Sequence, residues 1–86
     1  MTKDYALPVA EALIKPKLRD PDSAVFSGII FHEETADSGP IVCGYVNSRN
    51  AFGGMTGPQR FITGGTVIIE EEIGAANMDI AWRRFC

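Results

Sequence analysis

Few side chains in this chain could do chemistry: His32, Cys43, Cys86, Arg49, Arg60 and the run Glu70–Glu72. Nucleophilic catalysis needs a base beside the nucleophile, and His32 is the single histidine. If Glu33–Pro40 joins antiparallel strands, His32 falls opposite Ile41 or Val42, with Cys43 a diagonal neighbour at best. The pair therefore reads as a surface histidine and a structural cysteine, and a thiol-dependent enzyme using Cys43 stays as the alternative. One histidine and two distant cysteines lack the close ligand spacing of a zinc site. The acidic run reads as a solvated strand end. The segment GGMTGPQR lacks the Lys-Ser/Thr ending of a phosphate-binding loop, and a strand follows where a helix should begin. Arg49 and Arg60 flank it, and its backbone amides could form a small anion nest. No catalytic residue, metal or cofactor is expected from these residues.

The least ordinary stretch is Val42–Phe61, VCGYVNSRNAFGGMTGPQRF. Its ends read as strands and its middle as a long loop. Asn47 and Asn50 can form Asx-turns, while Gly53, Gly54, Gly57 and Pro58 supply more turn chemistry than a tight hairpin needs. Loops this long between strands are usually functional or mobile. Asn47, Arg49, Asn50, Phe52, Gly53, Gly54, Met55, Gly57 and Arg60 therefore form the candidate binding loop. Two readings of Phe52 and Met55 are open: they fold back as plugs on the core, or they are presented to a partner as an exposed apolar patch.

Length and composition bound the function classes. Eighty-six residues make one domain spanning 1–86. A core this small is marginal, so a covalent staple would help. A net charge of −3 argues against nucleic-acid binding, which needs a basic face. No apolar run is long enough to cross a membrane, and no leader-like apolar segment follows Met1–Tyr5. The chain as it stands fits the cytoplasm, or an exported or periplasmic protein whose leader has been removed. In the first case the two cysteines are expected to be reduced. In the second an even count suggests a bridge, closing a loop of about 44 residues worth on the order of 3–4 kcal/mol.

The elements that must position these residues follow from periodicity. Ala6–Leu18 reads as an amphipathic helix on Leu7, Ala10, Ile14 and Leu18, with Leu13 beside them, ending early near Lys15 because Pro16 removes a donor. Asp20–Ser23 reads as a turn. Ala24–His32 is a strand with Phe26 and Ile30 on one face and Val25, Ile29 and Phe31 on the other, and Gly28 marks a bulge or close approach. Ile41–Val46 is a second strand and Phe61–Ile69 a third, bent at Gly64 and Gly65. The last helix carries Met78, Ala81, Trp82 and Phe85 as its apolar stripe, with Asn77 as its cap. The expected fold is α+β: an N-terminal helix, a three-stranded antiparallel sheet and a C-terminal helix.

Three blocks, LRDPDSAVF (Leu18–Phe26), CGYVNSRNAFGGMTGPQRF (Cys43–Phe61) and WRRFC (Trp82–Cys86), resemble a group of small uncharacterised bacterial proteins. Many in that group look exported or lipoprotein-like, and some are encoded in prophage-like regions. Its members often carry Glu at the position of Tyr45 and Tyr at that of Met55. The resemblance implies that Cys43 and Cys86 are partners, and it implies no activity.

The function expected from these readings is that of a non-enzymatic binding module acting on another protein. An inhibitor, a phage anti-defence protein and a cell-envelope accessory protein are its versions. A purely structural stapled domain is the third reading. Low net charge and open sheet edges also allow a homodimer.

Overall fold

The computed structural model describes residues 5–32 and 40–86. Met1–Asp4 and the expected hairpin loop Glu33–Pro40, apart from Pro40 itself, lie outside the described residues. The elements in chain order are α1 (Ala6–Ile14), a 3-10 turn (Lys15–Lys17), β1 (Asp20–His32), β2 (Ile41–Arg49), β3 (Gln59–Gly64), β4 (Thr66–Ile69), α2 (Glu70–Ile73) and α3 (Ala75–Phe85). The strands form one antiparallel four-stranded sheet in the order β1-β2-β3-β4.

The fold is α+β with helices at both ends, and the sheet has a fourth strand where one bent third strand is expected. Gly64 pairs with Thr66 across β3 and β4, so the chain reverses around Gly65. Gly65 has φ +68°, a conformation that only glycine adopts without strain. A Cβ on Gly64 would lie 2.9 Å from Ile41 Cγ1. The two glycines therefore make a hairpin rather than a bend.

The helices cover opposite faces of the sheet. On the α1 face, Ala6, Ala10, Ile14 and Leu18 pack on Val42, Val46, Phe61 and Ile69. Burying Ala6 in place of Leu7 corrects the expected stripe: Leu7 and Leu13 are each 42% exposed. Ala6 and Ala10, one turn apart, place their small side chains against the strands beside the larger Ile14. The expected early stop is present, since α1 ends at Ile14 and Pro16 sits in the 3-10 turn.

On the α3 face, Ile41, Cys43 and Ile62 pack under Met78, with Ala81, Trp82 and Cys86 partly buried around them. Phe85 lies outside this core and is 37% exposed, stacked under Arg84. Asn77 is not the cap: α3 begins at Ala75 behind Gly74, and the Asn77 side-chain Nδ2 donates to the Ile73 carbonyl at 2.9 Å. The acidic run opens the short helix α2 instead of ending a strand.

β1 departs from the simple alternation in two places. Its register jumps between Asp20 and Val25, where the Ser23 hydroxyl donates to the Asp20 carbonyl and accepts from the Arg49 amide. The turn chemistry of Asp20–Ser23 is thus absorbed as an irregular strand start. The second jump lies between Ser27 and Ile30, where Gly28 has φ +57°. This bulge inserts one extra residue and switches the alternation. Phe26, Ile29 and Phe31 all join the α1-face core as a result, which corrects the expected split of these residues between faces. Phe26 meets the Phe61 ring edge-on at 5.7 Å. Among the described residues no helix is long and apolar enough to cross a membrane.

Candidate binding loop

β2 and β3 are joined by Asn50–Pro58, a projection of the sheet braced by its own amides. The Asn50 side-chain oxygen accepts from the amides of Phe52 at 2.9 Å and Gly54 at 3.2 Å. The Asn50 amide donates to the Gly54 carbonyl at 2.7 Å, and the Gly53 amide to the Asn50 carbonyl at 3.1 Å. Below this tip, Arg49 and Met55 form a single antiparallel bridge, and the Thr56 amide donates to the Ser48 carbonyl at 2.8 Å. The Gly57 amide donates to the Asn47 side-chain oxygen at 3.0 Å. Asn50 thus makes the Asx-turn its position suggests, whereas Asn47 forms no local turn through this bond and instead ties the two sides of the hairpin together across ten residues. The amides of Phe52, Gly54 and Gly57 are engaged by these side chains, which fills the nest that an anion would need.

Phe52 stands at the tip with 97% of its surface exposed, and Met55 is 47% exposed. Neither is a plug on the core. Arg49 lies at the base, half exposed, with its guanidinium 3.7 Å from the Asp20 carboxylate. A shallow groove of about 250 Å³ runs beside the tip, lined by Arg19, Ser48, Asn50, Phe52 and Glu71 among others.

Arg60 is placed elsewhere. It leaves β3 on the α3 face, where it pairs with Glu70 at 2.9 Å and Asp79 at 2.7 Å. Its guanidinium also lies 5.9 Å from the centre of the Trp82 ring, which is tilted against Tyr45 at 5.6 Å. Hydrogen bonds from the Arg60 side chain, and then from its backbone amide, hold the Glu70 carboxyl below the usual carboxylate range. Hydrogen bonds to Glu70, and then to Asp79, push the Arg60 guanidinium further up. This cluster ties β3, α2 and α3 together. Sequence reasoning misses it because Arg60 and Glu70 meet only once the chain reverses at Gly65; no local spacing marks them.

Cys43 and Cys86 are bridged, with Cα atoms 6.2 Å apart and a sequence separation of 43. Cys43 is fully buried in the α3-face core. In this form its sulfur is not a thiolate, the species that acts as a nucleophile. His32 pairs opposite Ile41, and its Nε2 lies 3.2 Å from the Cys86 carbonyl oxygen, where the ring N–H donates. Its partner is backbone, not sulfur. Among the described residues no group of three or more His, Cys, Asp or Glu side chains is arranged to hold a metal ion.

No protein-family model, curated protein sequence or solved structure matches this chain.

Proposed function

We infer that this protein is a non-enzymatic binding module that docks on another protein through the Asn50–Gly57 tip, with Phe52 as the anchor. The observation that carries this reading is an almost fully exposed aromatic ring on a loop whose amides are internally paired. Holding a phenylalanine in water forgoes its burial, worth about 1.5–3 kcal/mol. A loop already ordered in the free protein loses little entropy on binding, so its contacts convert into affinity efficiently. Aromatic anchors surrounded by polar groups are the usual energetic centre of such interfaces. Arg49 and the groove beside Phe52 supply the polar surround.

The Cys43–Cys86 bridge favours an oxidising compartment, which fits the exported relatives that the three sequence blocks suggest. The partner is therefore to be sought first at the cell envelope. The test is affinity capture from an envelope extract, comparing the wild-type protein with Phe52→Ala and Met55→Ala. The expected result is a discrete partner retained by the wild type and lost from Phe52→Ala, with unchanged thermal unfolding. Equal retention by both variants overturns the loop as the binding element.

A further inference from the structure

β1 forms one edge of the sheet, away from the Phe52 tip of the loop. β1 is the longest strand and, among the described residues, has a paired neighbour on one side only. An unpaired strand edge carries a row of free amides and carbonyls that another strand can take up. Natural edges are commonly defended by charges, above all lysine. β1 has none between Asp22 and His32. Val25 is 59% exposed and Ile30 is 39% exposed. Both lie on the α3 face, since Val25 pairs with Asn47 and Ile30 with Cys43.

We propose that β1 pairs antiparallel with β1 of a second copy about a two-fold axis near Ser27 and Gly28, joining the sheets with Val25 of each copy opposite Ile30 of the other. The bulge is what makes this register consistent. Paired residues must share a face, and a two-fold axis normal to the sheet keeps the faces of the two copies aligned. The extra residue at Gly28 switches the alternation, so Val25 and Ile30 share one face although an odd number of steps separates them. In the same register Phe26 falls opposite Ile29, and Ala24 opposite Phe31, all of the α1 face. Each copy contributes one bulge, so the residue count across the axis is equal for both strands. The uncharged stretch brings no like charges together at the axis. A second copy satisfies the edge and covers both exposed aliphatic side chains at once.

The experiment is sedimentation equilibrium on the full chain. The wild-type protein is expected to dimerise, while Val25→Lys and Ile30→Glu are each expected to be monomeric, because the charge faces an aliphatic side chain in the self-paired edge. Mixing the two variants is expected to restore a dimer. The lysine introduced at position 25 of one copy then meets the glutamate introduced at position 30 of the other, and the remaining pair stays valine on isoleucine. Phe52→Ala is expected to dimerise like the wild type, which separates this surface from the loop. A wild-type protein that stays monomeric to millimolar concentration overturns the proposal. So does a wild-type dimer that both single variants leave intact, and a mixture of the variants that stays monomeric rejects the Val25–Ile30 register.

Discussion

Asn50 orders the tip of the candidate loop almost by itself: its side-chain oxygen takes two amides and its backbone groups take two more hydrogen bonds. Replacing it by Ala deletes the side-chain acceptor and leaves the strands untouched. Asn50→Ala should therefore raise hydrogen-exchange rates at Phe52 and Gly54 by roughly tenfold while lowering global stability by no more than about 1 kcal/mol, since the lost bonds are exposed. Glu70 is the opposite kind of residue, polar yet structural. Its folded pKa is depressed by Arg60, so its contribution is present in full above the ordinary carboxylate value. That contribution is lost as pH falls through the lower folded value, because the unfolded state then binds more protons. Urea unfolding of Glu70→Gln should show a protein about 1–3 kcal/mol less stable near neutrality. Its stability should also fall less steeply than that of the wild type below the ordinary carboxylate range.

At the scale of elements, the molecule has two cores of unequal strength. The α1 face buries the larger set, including Phe61, Ile14 and Ile69, whereas the α3 face buries Met78 and little else from its helix. α3 is held by the bridge, by Arg60 to Asp79, and by Trp82 against Tyr45. Opening the bridge should destabilise the protein by about 2–4 kcal/mol. Because the α1 core contains no sulfur link, amides of α3 should lose protection before those of β2 and β3. Hydrogen exchange with and without a phosphine reductant measures both effects. Simultaneous loss of protection everywhere would show that the two cores do not act separately.

For the whole molecule, the two proposed docking surfaces are separate: the loop tip for another protein and the β1 edge for a second copy. Phe52→Ala should leave the unfolding free energy within about 0.5 kcal/mol of the wild type, as expected for a surface side chain with no packing partners. A larger loss in a denaturant titration would mean that Phe52 supports the fold, which would weaken its assignment as an anchor.

Much of the scaffold is legible in the residues. The spacing of apolar positions marks both helices and the α+β class, Pro16 marks the end of α1, and Gly28 marks the bulge. The density of Asn and Gly singles out the loop. These features are local: propensity, periodicity and turn chemistry act over a few residues. Other outcomes require the folded chain. Whether Gly65 bends a strand or reverses it depends on what β4 can pair with. Which row of α1 faces inward depends on the side chains that β2, β3 and β4 bring under it. Arg60 looks in sequence like a residue of the loop, yet it is claimed by Glu70 and Asp79 from elements that arrive only after the hairpin forms. In sequence, Phe52 and Met55 stay open between plug and display because burial is a property of the surroundings, not of the side chain. Composition and pattern determined the two longer helices, the extended segments and the loop. Tertiary structure decided pairing, partners and exposure, because these depend on segments distant in sequence being brought to the same place.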